Sequence, residues 1–87
     1  MLNINERVKQ TVVEALMLDI APEELGDDEN LSERLGLDSV GFLEVLTALE
    51  DEFDVEIENP GLTRFSAPTV RTLAEVVLQA QGERNGE

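Results

Sequence analysis

A chain of 87 residues is sized for one domain, and a domain this small buries only about 60% of its unfolded surface, so its core must be modest. Twenty acids face six bases, a net charge of −14, which makes nucleic acid and anionic membrane surfaces poor partners and basic protein surfaces good ones. There is no cysteine and no histidine, which removes disulfides, thiolate metal sites and any Ser-His-Asp or Cys-His mechanism built from this chain alone.

The opening stretch MLNINERVKQ shows no basic leader followed by an apolar block, and no later stretch reaches the roughly 18 apolar residues of a membrane span. The expectation is a cytoplasmic protein with one domain over residues 1–87. Its core lies at about 4–80, and residues 81–87 are expected to fray. A first helix is predicted over residues 4–18, with Ile4, Val8, Thr11, Val12, Ala15 and Leu18 on one side and Asn3 or Asn5 as its cap. A long connection, 19–38, follows with Pro22, Gly26 and Gly36 as breakers. Leu25, Leu31, Leu35 and Leu37 punctuate it, so it should pack down on the core rather than hang free.

A second helix is predicted from Ser39 or Val40 to about Phe53. Phe42, Val45, Leu46, Leu49 and Phe53 fall within about 100° of one another and form its inward face. Val40, Leu43, Glu44, Thr47 and Asp51 lie opposite. Glu50, Asp51 and Glu52 crowd the C-terminal turn, where cations are favoured. They belong to a wider imbalance, since fifteen acids and a single base, Arg34, stand between Asp19 and Glu58. Val55 and Ile57 alternate like a strand but have no partner strand, so an extended loop is expected, with one short helical turn at 61–65. The last helix starts at Thr69, its N-cap, and turns Val70, Leu73, Ala74 and Val77 inward. The sum is an all-α, up-and-down bundle of three principal helices plus a short helical turn before the last.

The stretch LGLDSVGFLEVLTALEDEFDVEI resembles the centre of an acyl carrier protein. The family opens its second helix with Leu-Gly-x-Asp-Ser followed by Leu, Val or Met, here Leu35 to Val40, and continues with a Glu-rich helix end and Phe-Asp-x-x-Ile, here Phe53, Asp54 and Ile57. NLSERLG and TVRTLAEVV extend the resemblance to about residues 4–80. It implies that a separate phosphopantetheinyl transferase moves 4′-phosphopantetheine from coenzyme A onto Ser39, with Asp38 beside it in support. The thiol of that arm then holds acyl groups as thioesters. It also implies a non-catalytic monomer with no metal site, presenting cargo to acyl-ACP synthetase, ketosynthase or acyltransferase-type enzymes with basic docking patches. By position in the motif, Val40, Leu43, Glu44, Thr47, Glu50 and Asp51 correspond to the partner-binding face.

The residues support that reading on their own terms. A serine with no neighbouring base suits an acceptor better than a catalytic nucleophile. A phosphodiester on Ser39 would stand at a helix N-terminus, where free N–H groups and the helix dipole favour negative charge. The plainer role for Ser39 is an N-cap, worth about 1 kcal/mol. A modified oxygen caps poorly, which leaves Asp38 to cap the helix or to help orient the transferase. Glu52 and Asp54 read better as solvated charges.

Three departures from the family point to a specialised carrier for a lipid, lipopolysaccharide or polyketide pathway. Gly41 replaces an often acidic position, Phe42 is bulky enough to narrow an acyl tunnel, and the 59–68 loop carries Pro60, Gly61 and Arg64. Two other functions compete: a stand-alone aminoacyl or peptidyl carrier, and an unmodified acidic helical adaptor. DDENLSERLGLD is acid-rich, but its oxygens miss the EF-hand offsets.

Overall fold

The computed structural model describes residues 3–57 and 68–85, with the backbone alone at Ser39 and at 83–85. Its elements are α1 (Ile4–Ala15), a one-turn 3₁₀ helix (Pro22–Glu24), α2 (Leu31–Leu35), α3 (Ser39–Phe53) and α4 (Val70–Asn85). All regular structure among the described residues is helical, as the sequence predicts. The turn expected at 61–65 lies outside the described residues. The connection 19–38, by contrast, contains two short helices that periodicity did not announce.

Each α-helix starts on a side-chain cap. Asn3 Oδ1 accepts from Glu6 N–H at 2.9 Å, and Asn30 Oδ1 accepts from Glu33 N–H at 3.2 Å. Thr69 Oγ1 accepts from Thr72 N–H at 3.1 Å, while Thr69 N–H donates to Thr72 Oγ1 at 2.9 Å. Such caps contribute about 1 kcal/mol each. The first three helices also end alike. A left-handed residue closes each (Met17, Gly36 and Asp54), and the next N–H reaches back five residues, as Leu18 does to the Val13 carbonyl at 2.9 Å. This closure stops α1 at Ala15, three residues short of the expected end. Glycine adopts that conformation freely, whereas a methionine there costs about 1 kcal/mol. At the other end of the chain, α4 is helical as far as Asn85.

The core joins Val8 and Val12 of α1 to Val45, Leu46, Leu49 and Phe53 of α3 and to Val70, Leu73, Ala74, Val77 and Ala80 of α4. Leu25 and Leu31 enter it from the connection and are fully buried. At about 1.5–3 kcal/mol per buried leucine, these two side chains help to hold the connection down. Backbone bonds then lock it to the last helix. Leu31 N–H donates to the Pro68 carbonyl at 2.8 Å, and Arg71 N–H donates to the Asp27 carbonyl at 3.0 Å.

Much of the mid-chain acidity is engaged inside the fold. Glu24, Glu29 and Glu50 carboxylates accept from the backbone N–H groups of Ala21, Gly26 and Ile57 at 2.8–3.1 Å. Arg71 grips Asp28 with two nitrogens at 2.6 and 3.0 Å, and Lys9 Nζ lies 2.8 Å from Asp27. The acids at the end of α3 receive their cation from another helix. Arg7 of α1 lies 3.1 Å from Glu52 Oε2, donates to the Glu52 carbonyl at 3.4 Å and sits 4.4 Å over the Phe53 ring. Arg34 pairs with Glu29 at 3.5 Å, so every described Lys or Arg side chain is matched to an acid. Glu52, read from the sequence as a solvated charge, is thus an ion-pair partner.

The clasp at 27–28 has a pH signature. The hydrogen bond from Lys9 holds the Asp27 carboxyl below the ordinary aspartate range, and Arg71 does the same for Asp28. A carboxyl held low in the folded state contributes stability that is fully present above its unfolded value near 4 and is lost as pH falls through the folded value. Asp27→Asn is therefore expected to be less stable than the parent at pH 7, with the difference closing below about pH 4. Urea unfolding from pH 7 to pH 3 checks this; a gap that stays constant across that range would refute the clasp.

Candidate functional site

The start of α3 follows the left-handed turn at Gly36, whose φ is 64°. Leu37 N–H donates back to the Ser32 carbonyl at 3.2 Å, so the chain enters α3 from a closed helix end. Asp38, extended at φ −104° and ψ −173°, is the N-cap. Its Oδ1 accepts from Gly41 N–H at 2.8 Å. Ser39 is then the first residue of α3, and the cap role open to it from sequence alone belongs to its neighbour.

Gly41 has a packing reason as well as an electrostatic one. A Cβ at this position would lie 3.3 Å from Leu37 Cδ2, 3.4 Å from Asp38 Oδ1 and 3.9 Å from Leu16 Cδ2. The bare backbone lets half-buried Leu37 lie across the first turn, with Leu16 from the end of α1 close by. Phe42, on the other side of this turn, is half-buried and packs against the core.

Outward, α3 presents Val40, 64% exposed, and Leu43, 57% exposed. These large apolar side chains border an open groove of about 470 Å³. Glu44, Thr47 and Asp51 line it further along α3, and Ala15 of α1 and Ala48 of α3 line it with small side chains. Five of the six residues expected at a partner face thus share one groove. Glu50 is not among its lining residues; half-buried, it holds Ile57 N–H. Ala15 and Ala48 were not singled out from sequence. Ala15 reads as one more inward position of α1, and nothing in a one-dimensional pattern says that it meets α3 thirty-three residues away.

The sequence matches the family described as "Phosphopantetheine attachment site" over residues 6–77. The acyl carrier proteins of Buchnera aphidicola subsp. Acyrthosiphon pisum, strains Tuc7, 5A and APS, are each 42% identical to it over 59 residues, which is 68% of this chain and 71% of theirs. The chain belongs to the acyl carrier protein family. Members of that family are non-catalytic carriers, and the cofactor here is covalently attached 4′-phosphopantetheine. The N-terminal end of α3 fits such a group. No acid occupies its first turn, Asp38 supplies the cap, and the helix dipole favours a phosphodiester at this end. No helix among the described residues of this carrier is long and apolar enough to cross a membrane.

The cap makes a direct prediction. Asp38→Ala should lower stability in urea by about 1 kcal/mol, while Asp38→Asn, which keeps an acceptor oxygen, should lose only a few tenths. Equal losses for the two substitutions would show that the hydrogen bond to Gly41 N–H is not what Asp38 contributes.

Proposed function

We propose that Ser39 Oγ is the attachment atom for 4′-phosphopantetheine, and that the protein is a discrete cytoplasmic, monomeric acyl carrier for a specialised lipid, lipopolysaccharide or polyketide pathway. The observation that carries this reading is the division of labour at the start of α3. Asp38 caps the helix, so modification of Ser39 need not cost the helix its cap. The bound group supplies a flexible arm ending in a thiol, on which acyl groups are held as thioesters. The chain has no cysteine of its own, so that thiol is the only one and loading cannot be diverted to a side chain.

Attachment itself balances simply. An external phosphopantetheinyl transferase directs Ser39 Oγ to the phosphorus nearest the pantetheine of coenzyme A. A new O–P bond forms, the pyrophosphate bond breaks, adenosine 3′,5′-bisphosphate leaves, and the enzyme accepts the serine proton. The carrier contributes position. Leu37 is packed against Gly41, Asp38 is bonded to Gly41 N–H, and Gly36 closes the helix before them. The backbone at residue 39 is therefore held from both sides. The missing acid at Gly41 supports a partner set unlike that of a carrier with charge beside the serine. Acidic Glu44 and Asp51 suit Lys and Arg on synthetases, ketosynthases or acyltransferases, an attraction that speeds encounter and weakens with salt.

Apo protein incubated with coenzyme A, Mg²⁺ and a broad-specificity phosphopantetheinyl transferase should gain the mass of one phosphopantetheine. Ser39→Ala should gain none. Thiol titration should read zero before the reaction and one after it. An unchanged intact mass for the parent protein, under conditions that load a control carrier, would rule this reading out. Transfer from acyl or malonyl donors, against adenylation-dependent amino-acid loading, then separates acyl cargo from aminoacyl cargo.

A further inference from the structure

We infer that Gly41 is a positioning residue for the modification of Ser39, and that it acts through Leu37. With no side chain at position 41, Leu37 lies across the first turn of α3, and that seat fixes the backbone leading into Ser39. The inference rests on the carrier reading above and concerns how the acceptor is held, not which surface an enzyme meets.

The caps of the four α-helices supply an internal comparison. In each, the N-cap side chain accepts from the N–H three residues on: Asn3 from Glu6, Asn30 from Glu33, Asp38 from Gly41 and Thr69 from Thr72. The donor is a glutamate in α1 and α2, a threonine in α4 and a glycine in α3. A cap of this kind therefore accepts a side chain at that position. Nor does a left-handed backbone call for glycine there, since among the described residues Gly36 is the glycine with a positive φ. Glycine is also a costly choice. It ranks below every residue but proline inside a helix, and a glutamate in its place would add a charge that the dipole favours. Both gains are forgone at the turn that carries Ser39.

The neighbours of Gly41 supply the reason. A Cβ there would stand 3.3 Å from Leu37 Cδ2. Carbon atoms pack best at about 3.5–4.0 Å, so Leu37 would have to shift. Asp38 Oδ1 at 3.4 Å and Leu16 Cδ2 at 3.9 Å close two further sides, so the new methyl group has no free space to take instead. Leu37 and Leu16 both pack against the core, so Leu37 retreats only at the expense of that packing. It stands two residues before Ser39, and Asp38 between them is bonded to Gly41 N–H at 2.8 Å. A shift of Leu37 is thereby passed to the backbone of residue 39. Misplacing an acceptor by a fraction of an ångström slows group transfer more than it weakens binding, because the contacts that bind lie elsewhere.

Steady-state loading of the apo protein by the transferase, with coenzyme A as donor, tests this. Gly41→Ala should lower kcat about three- to tenfold with KM within about twofold, although alanine is the better helix former. A direct clash of the new methyl with the enzyme would also slow loading, so a second variant removes Leu37 Cδ2 instead. Leu37→Val leaves the seat part-empty and should lower kcat about two- to threefold. The double variant should load no more slowly than Leu37→Val, because the methyl at 41 then has its space. The Ser39 amide resonance of the apo protein should follow the same pattern, displaced in Gly41→Ala and returned in the double variant to its Leu37→Val position. Parent kcat in either single variant would overturn the inference. So would a loss from Gly41→Ala that is undiminished in the Leu37→Val background. Failure of every protein to load, the parent included, would instead sink the carrier reading, and the Ser39 resonance would then decide whether Gly41 acts through Leu37.

Discussion

Two backbone hydrogen bonds hold the arrangement on which the rest depends. Leu31 N–H to the Pro68 carbonyl and Arg71 N–H to the Asp27 carbonyl stitch the long connection to the start of α4. Without them, residues 19–38 would be held by side chains alone, chiefly buried Leu25 and Leu31 and the ion pairs of Asp27 and Asp28. With them, the ends of α2 and α4 are tied together and α3 can begin only where Gly36 turns the chain into it. The polar groups that satisfy these ends are backbone atoms from distant segments, which makes the lock insensitive to salt. The ion pairs around it, Lys9 with Asp27 and Arg71 with Asp28, are partly exposed and reinforce it more weakly.

Two groups of acids stand apart within the strong negative charge. Glu24, Glu29 and Glu50 hold loop backbone, while Asp27, Asp28 and Glu52 hold cations. These acids are part of the scaffold. Glu44 and Asp51 line an open groove beside apolar side chains, where the proposed docking would use them. A net charge of −14 therefore overstates how much of the acidity is available to partners.

Legibility followed the length and regularity of each segment. α3 was readable almost to the residue, because fifteen residues of unbroken 3.6-residue periodicity start at an Asp-Ser pair and end at Phe53. The inward faces of α1 and α4 were readable for the same reason, and Thr69 was readable as a cap. α2 was missed because five residues are fewer than any periodic window needs. The end of α1 was misplaced because Met17 adopts a conformation that glycine usually marks. At the site, Asp38 and Ser39 stood out as a motif, and five outward positions of α3 do line one groove. The α1 wall of that groove was invisible, since it arises from two helices meeting across a long connection. Gly41 could be read as a missing charge but not as room for Leu37.

The close contact of Leu37 with Gly41 carries one last consequence. It removes slack on the helix side of residue 39, just as the Gly36 turn removes it on the other. On the proposed attachment at Ser39, the arm would be anchored to a stretch of backbone held on both sides, and that stretch would set the centre of its sweep. The groove begins one residue past that centre, at Val40. On that same proposal, an enzyme seated on the groove would stand at a set distance from the attachment point, with the first three turns of α3 as the spacer between them.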